Sequence, residues 1–146
     1  MSPETYISDV AHAIQLAVAP VFLLTGVGAL LAVLTSRLAR IVDRARQLEG
    51  LLAQADEAGR DRLLAELRVL SRRARYVNLA VTLATFCALL VCTVIVLLFF
   101  GAYSEARVVR TVGIIFIVAM FTLIAALLVF LREIFTATRH LRIGPH

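Results

Sequence analysis

Residues 77–100 read VNLAVTLATFCALLVCTVIVLLFF, twenty-four positions without one Asp, Glu, Lys or Arg. A helix rises about 1.5 Å per residue, so this stretch is long enough to cross a hydrocarbon layer about 30 Å thick. Two more stretches share the property, residues 13–35 before it and 111–131 after it. Lipid offers the backbone no hydrogen-bond partner, so each segment must satisfy its own donors and acceptors, which makes helix the expected form. A closed barrel is excluded, because the runs lack the two-residue alternation of barrel strands. The expected fold is all-α: an integral membrane protein with three transmembrane helices.

Composition agrees. Hydrophobic residues make up 61% of the chain and its mean hydropathy is +0.92, against about 45–50% apolar residues in soluble domains. At 146 residues a single membrane domain over 1–146 is the natural reading. Three spans enclose little space, so a pore would require several copies.

Charge sets the orientation. Residues 36–76 carry ten Arg against six acids, a net +4, and the tail from Arg132 adds +2. The N-terminal segment carries only Glu4 and Asp9, a net −2, while residues 101–110 carry +1. Cationic loops stay in the cytoplasm. The N-terminus is therefore expected outside, and the Arg-rich segment and the C-terminus inside. The Arg excess does not argue for nucleic acid, because it flanks the spans and no nucleic-acid motif accompanies it. Lipid, with its anionic headgroups, is the expected partner. A cleaved signal peptide is not expected, since the first residues are acidic where a signal is basic. No lipidation motif is present.

Nothing breaks the helical pattern after residue 35. Leu38, Ile41, Ala45, Leu48 and Leu52 recur at alternating spacings of three and four, a coiled-coil seam. Leu63, Leu67, Leu70, Ala74 and Val77 repeat it. Between the seams, Gly50, Gly59 and the polar stretch from Gln54 to Asp61 mark a turn. The expectation is an antiparallel cytoplasmic helical hairpin over residues 36–76, continuous with spans one and two. Arg40 with Asp43, Arg46 with Glu49, and Arg62 with Glu66 have the spacing of surface ion pairs. Arg72, Arg73, Arg75 and Tyr76 stand where headgroup anchors stand. Asn78 is placed to bond across helices or to cap one, and Thr82, Thr85 and Thr93 to bond back to their own backbone. Ser2-Pro3-Glu4 reads as a helix start.

The first run is the least uniform, with Pro20 expected to kink it. Gln15, Ala19, Phe22, Gly26, Ala29 and Val33 fall on one stripe at 100° per residue, and the stripe continues into Arg37, Arg40 and Arg44. Small residues on a membrane helix let another helix approach closely. The stripe is thus a candidate packing face, or a pore lining, with Arg37, Arg40, Arg44, Arg72, Arg73 and Arg75 as a cytoplasmic mouth or as headgroup contacts. In the third run, Gly113, Ala119, Ala125 and Ala126 are available for packing.

Recognisable chemistry is sparse. No apolar run holds a carboxylate or a cation of the kind that carries proton relays or voltage sensing. Cys87 and Cys92 lie about 140° apart around a helix, which makes them packing residues and not a ligand pair. His12, His140 and His146 are scattered, and no metal-protease or phosphate-loop pattern occurs. No enzyme activity, catalytic residue, metal or cofactor is expected.

The run from Gln15 to Gly26, Gln-Leu-Ala-Val-Ala-Pro-Val-Phe-Leu-Leu-Thr-Gly, continues to Leu34-Thr35-Ser36-Arg37-Leu38-Ala39-Arg40-Ile41-Val42-Asp43-Arg44. With Glu66-Leu67, Arg72-Arg73-Ala74-Arg75 and the two apolar runs that follow, it resembles the bacterial domain-of-unknown-function family 2721 over roughly residues 7–141. The resemblance implies a small three-span bacterial membrane protein, hence the inner membrane, and brings no activity or site residues with it. The function class expected is a self-associating structural or regulatory membrane module, with a partner membrane protein also conceivable. The rival expectation is a homo-oligomeric ion channel with the first span lining the pore.

Overall fold

A computed structural model of the chain describes the backbone of residues 3–101 and 106–139 and the side chains of residues 10–99 and 110–135. Ser2, His140 and His146 lie outside these ranges, as do the side chains of Glu4 and Asp9. The described backbone is helical apart from one turn: α1 is Pro3–Leu52, α2 is Glu57–Gly101 and α3 is Ala106–Arg139. All three are long and apolar enough to cross a membrane.

Length alone says more. At about 1.5 Å per residue, the 50 residues of α1 and the 45 of α2 exceed what a hydrocarbon layer about 30 Å thick accommodates. Each helix therefore continues well beyond its apolar run. α1 passes through Pro20 without interruption. α3 runs past its apolar stretch to Arg139, so the first part of the basic tail is helical.

The turn is tighter than the glycines suggest. It occupies only residues 53–56, with Gly50 inside α1 and Gly59 inside α2. Gln54 N–H donates to the Leu51 carbonyl at 3.1 Å. Asp56 caps α2: its Oδ1 accepts the Gly59 amide at 3.0 Å, and its carbonyl accepts the Arg60 amide at 2.9 Å. This satisfies one of the first amides of α2, which have no partner within the helix. A Cβ on Gly59 would come within 2.7 Å of that Oδ1, so glycine here lets the cap close.

The chain forms two compact units, Met1–Leu31 with Leu83–Ile124, and Ala32–Thr82 with Ala125–His146. Their interiors differ. In the first unit the buried apolar side chains are Ala13, Ala17, Val27, Ala84, Cys87, Val91, Val94 and Ala119, none larger than valine. In the second they are Leu34, Ile41, Leu48, Leu70, Val77, Ala80 and Ala126. Small residues allow close helix contact where lipid already solvates apolar surface. Large ones gain most where burial removes them from water. Large apolar side chains are exposed in both units, Phe22 at 74% and Phe121 at 67% in the first, Leu128 and Phe135 at 60% in the second.

Burial follows a seven-residue repeat. On α1 the buried positions include Ala13, Pro20, Val27, Leu34, Ile41 and Leu48, each seven after the last. On α2 they are Leu70, Val77, Ala84 and Val91, interleaved with Ala80, Cys87 and Val94. On α3 they are Ala119, Ala126 and Glu133. This is the spacing of helices packed nearly parallel or antiparallel along a seam. The residues of both expected arm seams are buried or half-buried. Thr82 and Thr93 donate to the Asn78 and Leu89 carbonyls, each at 2.9 Å. Asn78 itself is exposed.

The expected ion pairs within single helices are replaced. Glu66 accepts from Arg44 of the facing helix, Nε at 3.3 Å and Nη2 at 3.0 Å, and not from Arg62. Arg40 turns to the Ser36 hydroxyl at 3.4 Å. Neither Arg40 with Asp43 nor Arg46 with Glu49 is among the three ion pairs of the described residues. Spacing along one helix gives way to register between two.

Candidate functional site

Glu133 is the buried charged residue of the described chain, 0% exposed. It stands on α3 seven residues after Ala126 and two after the last residue of the apolar run. Burying an isolated carboxylate is very costly, so it must be paired and hydrogen-bonded. Both its oxygens are used. Arg73 of α2 donates to Oε1 through Nε at 3.2 Å and Nη2 at 2.9 Å. Arg37 of α1 donates to Oε2 through Nη1 at 3.1 Å. One carboxylate thus joins all three helices.

Aromatic rings complete the setting. The Arg37 guanidinium lies over the Phe130 ring, 5.2 Å from its centre, and Arg132 lies over Tyr76 at 5.4 Å. Such contacts favour planar, weakly hydrated guanidinium at a partly dry site. Arg37 and Arg73 side chains remain 35% and 27% exposed, so the clamp is buried at its acid and open at its bases. Among the described residues no buried side-chain nitrogen or oxygen lacks a partner.

Beside the clamp is a cavity of about 320 Å³ lined by Arg37, Arg40, Ile41, Arg44, Leu70, Arg73 and Glu133. Four guanidiniums and one carboxylate therefore border one space.

The residues singled out from sequence separate into groups. Arg37 and Arg73 turn inward to Glu133, and Arg40 and Arg44 line the same cavity while exposed. Arg72 and Arg75 are exposed and border a different groove on α2, with Leu64, Leu67 and Arg68. The stripe Gln15, Ala19, Phe22, Gly26, Ala29 and Val33 is exposed throughout. It is not the face that α1 buries within the chain. A Cβ on Gly26 would meet nothing within 4 Å. Cys87 is buried and Cys92 exposed, both as free thiols.

Sequence reasoning missed Glu133. By hydropathy Glu133 falls in the basic tail, because Arg132 ends the apolar run. The available signal was the seven-residue spacing of Ala119, Ala126 and Glu133, which puts a carboxylate on the seam of α3.

No curated protein and no solved structure matches the chain. A family model described as Protein of unknown function (DUF2721) matches residues 17–143. That match takes in most of all three helices and every residue of the clamp, and the chain belongs to this family.

Proposed function

We propose that the chain is a three-span module of the bacterial inner membrane with a structural or regulatory role, which self-associates through the exposed stripe of α1. Its Arg-rich arms and C-terminus lie in the cytoplasm and its N-terminus outside, and it is not an enzyme. The observation that carries this reading is the Glu133 clamp. The buried carboxylate is spent on holding α1, α2 and α3 together, with both oxygens occupied by guanidiniums, which leaves it no lone acid or base function.

Two further features support it. The large buried side chains Ile41, Leu48 and Leu70 lie outside the apolar runs, where burial removes them from water. The stripe from Gln15 to Val33 is exposed, and its Gly26, Ala19 and Ala29 permit close approach of a second copy. Native mass spectrometry of the chain released from lipid nanodiscs tests self-association. Particles of two or more copies are expected, and single copies alone would refute it. Labelling of a cysteine placed near Gly59 from either side of sealed vesicles tests the orientation.

One feature favours a channel as the second reading. Gln15, an uncharged polar group in the apolar run of α1, lies on that same exposed stripe, where several copies would turn it toward a common axis. Arg40 and Arg44 would then face the cytoplasmic mouth and favour anions. Anion flux into proteoliposomes that changes with Gln15→Ala supports this reading, and absence of flux removes it.

A further inference from the structure

We propose that the cavity beside Glu133 is a binding site for a phosphate group, gripped by Arg37, Arg40, Arg44 and Arg73. Charge is the first argument. Among the described residues the four guanidiniums make ion pairs with Glu133, which lines the cavity, and with Glu66, which pairs with Arg44. Two positive charges remain, close to the charge of a phosphate monoester near neutral pH.

Donor geometry is the second argument. A guanidinium has five N–H donors. Arg73 gives two nitrogens to Glu133, and Arg37 gives one. Arg40 has its bond with an uncharged hydroxyl. Arg44 gives two nitrogens to Glu66. The four side chains border a common space, and guanidinium forks match the oxygens of phosphate in pairs. All fifteen cationic residues of the chain are Arg and none is Lys, so planar recognition is available wherever a cation stands.

Space is the third. About 320 Å³ equals the liquid volume of roughly ten waters, which accommodates a phosphate group with part of its hydration. Ile41 and Leu70 form the apolar part of the lining, which lowers the local dielectric and strengthens the charge contacts. Glu133 holds Arg37 and Arg73 in place before any anion arrives. Preorganisation of this kind lowers the entropy cost of binding.

The phosphate can come from solution or from an anionic phospholipid headgroup, and the chemistry is shared. Only the lipid source rests on the membrane orientation proposed above, so a soluble-phosphate response stands or falls separately from it. The full-length chain is first melted in neutral detergent with inorganic phosphate against chloride at equal ionic strength. It is then melted in phosphatidylcholine nanodiscs with and without phosphatidic acid. Binding to the folded state raises the melting temperature.

A rise of several degrees is expected with at least one probe. Arg40→Gln should cut that rise by half or more, and Arg72→Gln, which removes an equal charge outside the cavity, should preserve it. Arg40 is exposed and takes no part in the clamp, so its replacement leaves the fold in place, and Arg44→Gln serves as a second variant. A rise with phosphate in detergent assigns a soluble ligand, and a rise only with phosphatidic acid assigns a lipid. No rise with either probe would overturn the site. So would equal losses in Arg40→Gln and Arg72→Gln, which would mean diffuse surface attraction.

Discussion

Arg73 grips one oxygen of Glu133 with two nitrogens, at 3.2 and 2.9 Å, and leaves the other oxygen to Arg37. The Glu133 side chain is fully buried while both arginine side chains keep a quarter or more of their surface exposed. Coulomb attraction in such a place is strong, and so is the cost of removing the acid from water. The arrangement is therefore sensitive to loss of one member.

Glu133→Gln tests this sensitivity. Breaking a buried pair costs about 3–5 kcal/mol when both partners are dry. Partial exposure of the two arginines reduces the expected loss to about 2 kcal/mol, or about 4–8 °C in melting temperature. Thermal unfolding in detergent measures it. An unchanged midpoint would mean that the clamp contributes nothing.

The two arginines should differ. Lysine is a point charge and cannot reproduce a two-nitrogen grip. Arg73→Lys is expected to cost about 1–2 kcal/mol, and Arg37→Lys, which loses a single bond and a ring contact, under about 1 kcal/mol. Melting curves of the two variants give the ranking, and the reverse order would contradict the geometry.

The cap at Asp56 gives a local prediction. Asp56→Ala should destabilise α2 by about 1 kcal/mol, and Asp56→Ser by much less. Faster hydrogen exchange at the Gly59 and Arg60 amides in the alanine variant is the expected signature. Equal exchange in both variants would show that the side chain does not cap.

Gly50 predicts a gain. It is helical and exposed, and an added Cβ would meet nothing within 4 Å. Gly50→Ala should stabilise the arm by up to about 1 kcal/mol through reduced backbone entropy in the unfolded chain. A lower melting temperature would be inconsistent with an open helical site.

Gly26→Leu separates folding from association. Gly26 is exposed and an added Cβ meets nothing within 4 Å, so helix content by circular dichroism should not change. If the stripe is the subunit contact, the variant should shift native particles toward single copies. Unchanged copy number would move the contact elsewhere.

The three helices were legible because lipid thickness sets a length that no soluble core demands, and the arm seams because Ile41, Leu48, Leu70 and Val77 keep a clear period. Less legible was the face that α1 buries. Gly26 and Ala29 invite close packing, yet burial follows Ala13, Pro20, Val27 and Leu34, because a seven-residue register runs the length of the helix. Arg44 with Glu66 could not be read from one helix, since register between helices decides it. Glu133 was hidden by its neighbour Arg132: a hydropathy reading stops at the first charge, although the seam does not.

A double-mutant cycle on Arg73→Met and Glu133→Leu tests most directly whether one carboxylate ties the helices together. Arg73→Met leaves Glu133 with Arg37 alone and Glu133→Leu leaves both arginines without their carboxylate, whereas the double change removes both members of the Arg73–Glu133 pair and leaves the part-exposed Arg37. Measured as unfolding free energies in lipid nanodiscs, the double variant should lose less than the sum of the single losses by about 1 kcal/mol or more. Single losses that simply add would show that Arg73 and Glu133 act independently, and the clamp would have to be abandoned.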